Sequence, residues 1–368
     1  MQFLKQTSLS VRFLVASKVS GTGIVPLQSR RLLGAPAEVV VGPLLQSGDR
    51  PMSTGTWLEG TRPYVPRRSL MYVPGHDMKK LRKIPVLGVD CAVLECEDGV
   101  ALNKKAEARE NIRVALDELG EVEGVDLAVR VNSVSSGLLE EDLRVVMAAK
   151  RKPATILLPK TNTVDDIILV GVRIHRSLKA ALGSRAMGYC PHLITYVESA
   201  EGLMNMKDVL RRAETFSREG VYHLDGVVFG SDDFCADIGA VRTGDAVELT
   251  YARQKIVMVA KAYRIQAIDM VYTDYKDLDG LKWQSEQGAR KGYTGKQVIH
   301  PNQVAPVNTA FTPSPELVER ATELTAAFEQ HQAGGHGAFT FRGQMVDMPL
   351  LLQAKNVLQT MQNIRKPR

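Results

Sequence analysis

Tyr196-Val197-Glu198-Ser199 and Phe229-Gly230-Ser231-Asp232-Asp233-Phe234 decide the reading of this chain, because each is a short apolar run that stops at an acid. A strand ending on a carboxylate, followed one helical crossover later by another, places two hard oxygen ligands at one rim of a parallel barrel. Glu198 and Asp233 are therefore the candidate Mg2+ ligands, since that ion usually takes one or two protein carboxylates and leaves its other positions to water and substrate. Glu198 alone would read as readily as a helix-dipole acid opening the next helix. The second acid favours the metal.

Outward from these two strands, β-rich segments alternate with longer helix-period segments from Arg68 onward, the pattern of repeated βα units. Eight strands are expected: 69–74, 91–97, 127–132, 155–159, 193–198, 226–230, 267–272 and 295–300. Between them apolar residues recur at helical spacing over stretches such as 104–119, 138–149, 164–182, 202–213 and 249–263. Pro153, Pro191 and Pro301 fall beside strands rather than within them, as the missing N–H requires. Eight units make an α/β fold of the TIM (β/α)8 barrel type, spanning 65–312. Beyond it, Ser314 and Pro315 open a further helix to about residue 332, which ends at Gly334-Gly335. A hairpin turning at Arg342-Gly343 and an apolar helix complete an extension over 313–368. Such an extension has no place in the barrel wall and must cover either this chain's barrel mouth or a neighbouring subunit.

The 368 residues, 44% of them hydrophobic, can bury a large core, and no apolar run approaches the roughly 20 residues that cross a bilayer. The net charge of +6 owes much to the chain ends, with Lys5, Arg12, Lys18, Arg30 and Arg31 all preceding the first acid, Glu38. A nearly balanced body leaves no footprint for nucleic acid. The basic, acid-free, Ser-containing opening reads as a mitochondrial transit peptide, or else as a tail with chance basic bias; Arg12 and Lys18 interrupt any secretory signal. Residues 41–64 are rich in Gly, Pro, Ser and Thr, so 1–64 is expected to be a leader without fixed structure. Cys91, Cys96, Cys190 and Cys235 lack zinc spacing and read as reduced core thiols, which suits a matrix enzyme.

Arg130, in Val129-Arg130-Val131-Asn132, ends the third strand among apolar neighbours, where an unpaired charge is costly. It is expected either to fork a substrate carboxylate or a developing enolate oxygen, or to pair with Glu97 or Asp98, or both. Glu97 and Asp98, placed before Gly99, read either as an ordinary turn or as a second shell holding the arginine and metal-bound water.

Seven collinear segments then carry a resemblance: Met71-Tyr72-Val73-Pro74-Gly75, Leu94-Glu95-Cys96-Glu97-Asp98-Gly99, Val129-Arg130-Val131-Asn132-Ser133, Leu158-Pro159-Lys160, Val197-Glu198-Ser199, Phe229 to Phe234, and Gly295-Lys296-Gln297-Val298-Ile299-His300-Pro301. From about Arg67 to the C-terminus the chain resembles the citrate lyase β-subunit-like family within the HpcH/HpaI aldolase group. The resemblance implies a Mg2+-dependent carbon–carbon lyase that cleaves citramalyl-CoA into acetyl-CoA and pyruvate. Malate synthase-like and malyl-CoA thioesterase side activities would follow, in a mitochondrial homotrimer whose hairpin lies over a neighbouring barrel. It implies further that Glu198 and Asp233 hold the metal, that Arg130 contacts substrate and that Asp347 is the acid/base. Tyr72, Lys79, Lys83, Ile299 and His300 would hold the CoA thioester. Asp232 stands where the family commonly has Glu, which leaves its part open.

These residue types suit that chemistry. Cleavage leaves a ketone and a thioester enolate, so a cation or N–H must meet the enolate oxygen and an acid must protonate its carbon. Asp347 lies among Met345, Val346, Met348 and Pro349, where removal from water would favour the protonated acid; a solvent-facing hairpin acid is the plainer alternative. Lys79 and Lys83, four apart on one expected helix, share a face that suits CoA phosphates, or they belong to a solvated basic surface with Lys80 and Arg82. Tyr72 reads as a CoA contact or as core, and His300 as a residue whose main chain matters more than its ring.

Three competitors stay open. A class II 2-keto-acid aldolase would need a histidine base, for which His76 is the early-rim candidate. A β component of a citrate lyase complex would use an acyl-carrier protein instead of free CoA. A noncatalytic acyl-CoA-binding regulator would lack a working site.

Overall fold

A computed structural model describes residues 64–183, 189–333 and 339–365. The expected leader, apart from Tyr64, and the Gly334-Gly335 helix end lie outside the described residues. Eight parallel strands close into a barrel: β1 (Ser69–Pro74), β2 (Cys91–Glu95), β3 (Asp126–Arg130), β4 (Thr155–Leu158), β5 (His192–Val197), β6 (His223–Phe229), β7 (Gln266–Asp269) and β8 (Gly295–Val298). The ring shuts where Leu70 of β1 sits opposite Cys91 of β2 on one side and Gln297 of β8 on the other.

Around it run α1 (Met78–Leu81), α2 (Lys105–Leu119), α3 (Leu139–Val146), α4 (Val164–Leu182), α5 (Ala200–Arg218), α6 (Ser231–Ile238), α7 (Thr250–Ala262), α8 (Leu278–Lys291) and α9 (Val304–Ala310). Side chains alternate along each strand. Leu70, Cys91, Val93, Ala128, Ile194 and Tyr196 fill one small cluster, which the geometry of a closed barrel places inside. Their neighbours Met71, Val73, Ala92, Leu94 and Val129 join the larger cluster shared with the helices. Cys91 and Cys96 accordingly belong to different clusters, and none of the four cysteines is in a disulfide.

The strand entrances are closed by a buried ion cluster. Arg67 donates through Nε to Asp126 (2.6 Å) and through Nη2 to Thr155 (3.0 Å), and its Nη1 bonds Asp225. A register shift between Leu193 and Ile194, where β5 meets β6, gives the extra residue that turns Asp225 to this arginine.

Two expectations need correcting. Several strands stop short of the predicted ends, β2 at Glu95 rather than residue 97 and β3 at Arg130 rather than 132, so Glu97 and Asp98 lie on the loop after β2. Lys79 and Lys83 do not share one helix: α1 ends at Leu81, and Lys83 precedes a separate 3-10 turn over Ile84–Val86 that carries Pro85. Proline cannot supply the N–H that a continuing helix needs.

After the barrel come α10 (Pro315–Ala333), β9 (Phe339–Phe341), β10 (Gln344–Val346) and α11 (Met348–Arg365). Ala321, Leu324, Phe328, Val346, Leu351 and Ala354 give this extension a core of its own. The hairpin turns at Arg342 and Gly343, both at positive φ, as a two-residue hairpin loop requires.

Candidate active site

Glu198 follows β5 immediately, and Asp233 lies in the first turn of α6, four residues beyond the end of β6. Because β5 and β6 are neighbours, both acids reach the same sector of the rim. Glu198 is 6% exposed and held in one orientation. Its Oε2 accepts from the backbone N–H of Lys160 (2.7 Å). On the other side lies Gly230, where a Cβ would sit only 2.5 Å from Oε1 and 2.4 Å from Cγ. Burial pushes the Glu198 carboxyl up to about 7, against the lowering effect of the Lys160 N–H and of Arg130, while the charges of Glu97 and Asp233 add to the rise.

A buried carboxylate raised this far, facing an exposed second carboxylate, is a donor set that a hard dication would complete. The glycine leaves space beside the Glu198 oxygen that Lys160 does not occupy. Among the described residues no group of three or more His, Cys, Asp or Glu side chains is placed to hold a metal ion. Asp232 does not join: its Oδ1 lies 3.6 Å from Arg242 Nε.

Arg130 ends β3 beside them. Its Nε donates to Glu95 (2.6 Å), its Nη1 lies 3.3 Å from Glu97, and its Cζ stands 4.5 Å from the ring centre of Tyr72 and 5.7 Å from that of Tyr196. Burial would lower its pKa, yet Glu95, the tyrosines and Glu97 together carry it well above the ordinary value, so the cation is secure. The principal partner, Glu95, is not one of the two acids the sequence pointed to. Asp98 pairs instead with Lys160, whose ammonium bonds Glu97 Oε1 (2.6 Å) and Asp98 Oδ2 (2.9 Å). The Lys105 ammonium, also overlooked in the sequence, ties the Cys96 and Glu97 carbonyls to Asn132 Oδ1.

Under Arg130 lies a directed chain of hydroxyls. Gln297 spends its Nε2 on the Phe229 and Asp269 carbonyls, so its Oε1 accepts from the Tyr72 hydroxyl (2.7 Å), which in turn accepts from Tyr196 (2.7 Å). Burial lifts both tyrosine pKa values, so both stay neutral. Tyr72 thus has its hydroxyl occupied within the barrel and its ring against Arg130.

Lys79 and Lys83 are exposed after β1, while Ile299 (44% exposed) and His300 follow β8. As β1 and β8 are neighbours, these four border one sector. Gln303 Oε1 accepts from the N–H groups of Ile299 (2.8 Å) and His300 (3.2 Å), and the His300 ring stacks on Tyr275 at 4.7 Å. His76 also follows β1, its carbonyl accepting from Asn111 of α2.

Asp347 is half-buried at the start of α11, and its carbonyl accepts from Leu351. The expected apolar surround is not supplied within the chain: Val346 is buried, but Met345 is 72% and Met348 45% exposed, and Pro349 is exposed too. Alternation along β10 turns Met345 away from the core that takes Val346.

Comparisons with known proteins bear on the family and the fold. The family model described as HpcH/HpaI aldolase/citrate lyase matches residues 68–301. A human protein, "Citramalyl-CoA lyase, mitochondrial", is 48% identical over 303 residues, which cover 82% of this chain and 88% of that one. "(3S)-malyl-CoA thioesterase" of Cereibacter sphaeroides is 29% identical, covering 80% and 94%. Among solved structures, CitE from Mycobacterium tuberculosis in complex with magnesium, acetoacetate and coenzyme A is 25% identical, with a TM-score of 0.63 over 81% of this chain and 98% of that one.

Proposed function

From the premise that this chain belongs to the HpcH/HpaI aldolase/citrate lyase family, we propose that it is a carbon–carbon lyase cleaving citramalyl-CoA to acetyl-CoA and pyruvate. The observation that carries the reading is the clamped trio at one rim: Glu198 in a single orientation, Asp233 beside it, and Arg130 fixed by Glu95 and Glu97. The two carboxylates suit Mg2+, which when bound supplies Lewis-acid polarisation of the substrate's hydroxyl and carboxylate oxygens.

The chain's own residues account for the rest. Arg130 presents a preorganised cation to the oxygen on which enolate charge develops, and Glu95 keeps it from turning away. Glu97 and Asp98, tied to Lys160, act as a second shell for the arginine and the metal sector. As the hydroxyl gives its proton to a base, its carbon becomes the ketone carbon of pyruvate and the breaking carbon–carbon bond leaves its pair on the acetyl thioester; Asp347 then protonates that carbon. The exposure of Met345 and Met348 fits an Asp347 delivered to the site of a neighbouring subunit, as in a homotrimer. Lys79 and Lys83 offer cations to the CoA phosphates, while Tyr72, Ile299 and His300 line the thioester path.

The same enolate added to the glyoxylate carbonyl would give malyl-CoA, and water attacking the malyl-CoA thioester carbonyl, with the CoA thiol leaving, would release malate; together these steps are the malate synthase-like and thioesterase side activities. A basic stretch free of acids before Glu38 and the mitochondrial name of the human relative favour the mitochondrial matrix. The test is incubation of purified protein with citramalyl-CoA, with and without EDTA. Pyruvate should appear only without the chelator, and its absence in both would reject the reading.

A further inference from the structure

Lys160 reaches both halves of the site at once. Its backbone N–H donates to Glu198 Oε2 (2.7 Å), and its ammonium bonds Glu97 Oε1 (2.6 Å) and both oxygens of Asp98 (3.1 and 2.9 Å). It does so from a left-handed backbone, φ 49, directly after Pro159. Three other non-glycine residues among those described share a positive φ: Ala246, Arg264 and Arg342. Arg264 follows the last turn of α7, and Arg342 forms the hairpin turn. Those are ordinary places for such a conformation. Lys160 instead adopts it at the barrel rim, just beyond the end of β4. An L-residue visits that region only when its surroundings hold it there.

The two sets of bonds explain the hold. The ammonium, pinned to the loop after β2, fixes the side chain on one side; the peptide N–H is thereby turned to the other, towards Glu198. With Oε2 taken by this N–H and Gly230 leaving room beside Oε1, a single Glu198 oxygen stays open.

We propose that Lys160 is the positioning residue of the metal site: its ammonium, anchored on Glu97 and Asp98, holds the left-handed backbone that aims its N–H at Glu198 and leaves one Glu198 oxygen for the cation. The inference rests on the metal reading given above and extends it to a residue that acts through Glu198.

The test is calorimetric titration of Mg2+ into the full-length protein and two variants, with thermal melting run in parallel to show that each is folded. Lys160→Met keeps the stem and removes the anchor, so the backbone relaxes and Mg2+ should bind about tenfold more weakly, the order of the left-handed penalty. Lys160→Gly also lacks the ammonium but takes the left-handed backbone freely, so it should bind about as tightly as the wild type. Turnover of citramalyl-CoA should follow the same order. Equal weakening in both variants would mean that the lost bonds to Glu97 and Asp98, not the backbone conformation, set the affinity, and unchanged or tighter binding in both would mean that the ammonium does not position the site. Either result overturns the inference while leaving the metal reading intact. A wild type that binds no Mg2+ would remove that reading and this inference with it.

Discussion

Burial of Glu198 sets the pH behaviour expected of the site. With its carboxyl pushed up to about 7, the group is largely ionised above that pH and protonated below it. A proton and Mg2+ then compete for the same oxygens. Affinity for Mg2+ should be flat above pH about 7 and fall about tenfold per unit below it, as calorimetric titration across the range would show. Gly230→Ala is expected to do similar damage at any pH. Its Cβ would stand 2.5 Å from Oε1, so Glu198 must swing away, and Mg2+-dependent turnover should drop by about two orders of magnitude or more. The rim positions of Glu198, Asp233 and Arg130 were legible in the sequence because each ends a strand or follows one closely. Glu95 was not, since an acid inside a strand shows its purpose only with its cross-strand partner. The register that sets Glu95 opposite Arg130 is the signal that would have found it.

Helix starts were read to within two residues with or without a side-chain cap. Thr163 with Asp166 forms a capping box, and α4 spans the predicted 164–182; Ser199 caps α5 at Gly202, starting that helix two residues before the predicted 202. Strand ends were read too long where one more ladder bond outlasts the strand: the Cys96 N–H still donates to the Arg130 carbonyl (2.9 Å) and the Val131 N–H to the Leu157 carbonyl (3.2 Å), after which the chain turns into loops. Arg67, just before β1, gave no motif at all, yet it joins the starts of β3 and β4 to β6 through Asp126, Thr155 and Asp225. Arg67→Met would leave two buried carboxylates without their cation. A loss of about 3–5 kcal/mol is expected, read as a lower midpoint in denaturant unfolding. Unchanged stability would show that water replaces the guanidinium there.

The extension tests how complete one chain is. With a core of its own and Met345 and Met348 exposed beside Asp347, it fits a unit that works against a second copy. Asp347→Ala should keep the fold and bind Mg2+ but lose cleavage. If Asp347 serves a neighbouring subunit, unfolding and reassembling Asp347→Ala with Asp233→Ala chains should restore part of the activity, because some sites then draw an intact residue from each. If each chain uses its own Asp347, the mixture stays inactive. The eightfold βα pattern was plain from the sequence, whereas what the extension covers was left between this chain's own barrel mouth and a neighbouring subunit, because a hairpin and helix outside the barrel repeat carry no register that fixes where they pack. The most direct measurement of the central claim is anomalous diffraction from crystals of this protein soaked in Mn2+, a scatterer that takes Mg2+ sites. One peak within bonding distance of both Glu198 and Asp233 is predicted; no peak there, or an ion held by other residues, would contradict it.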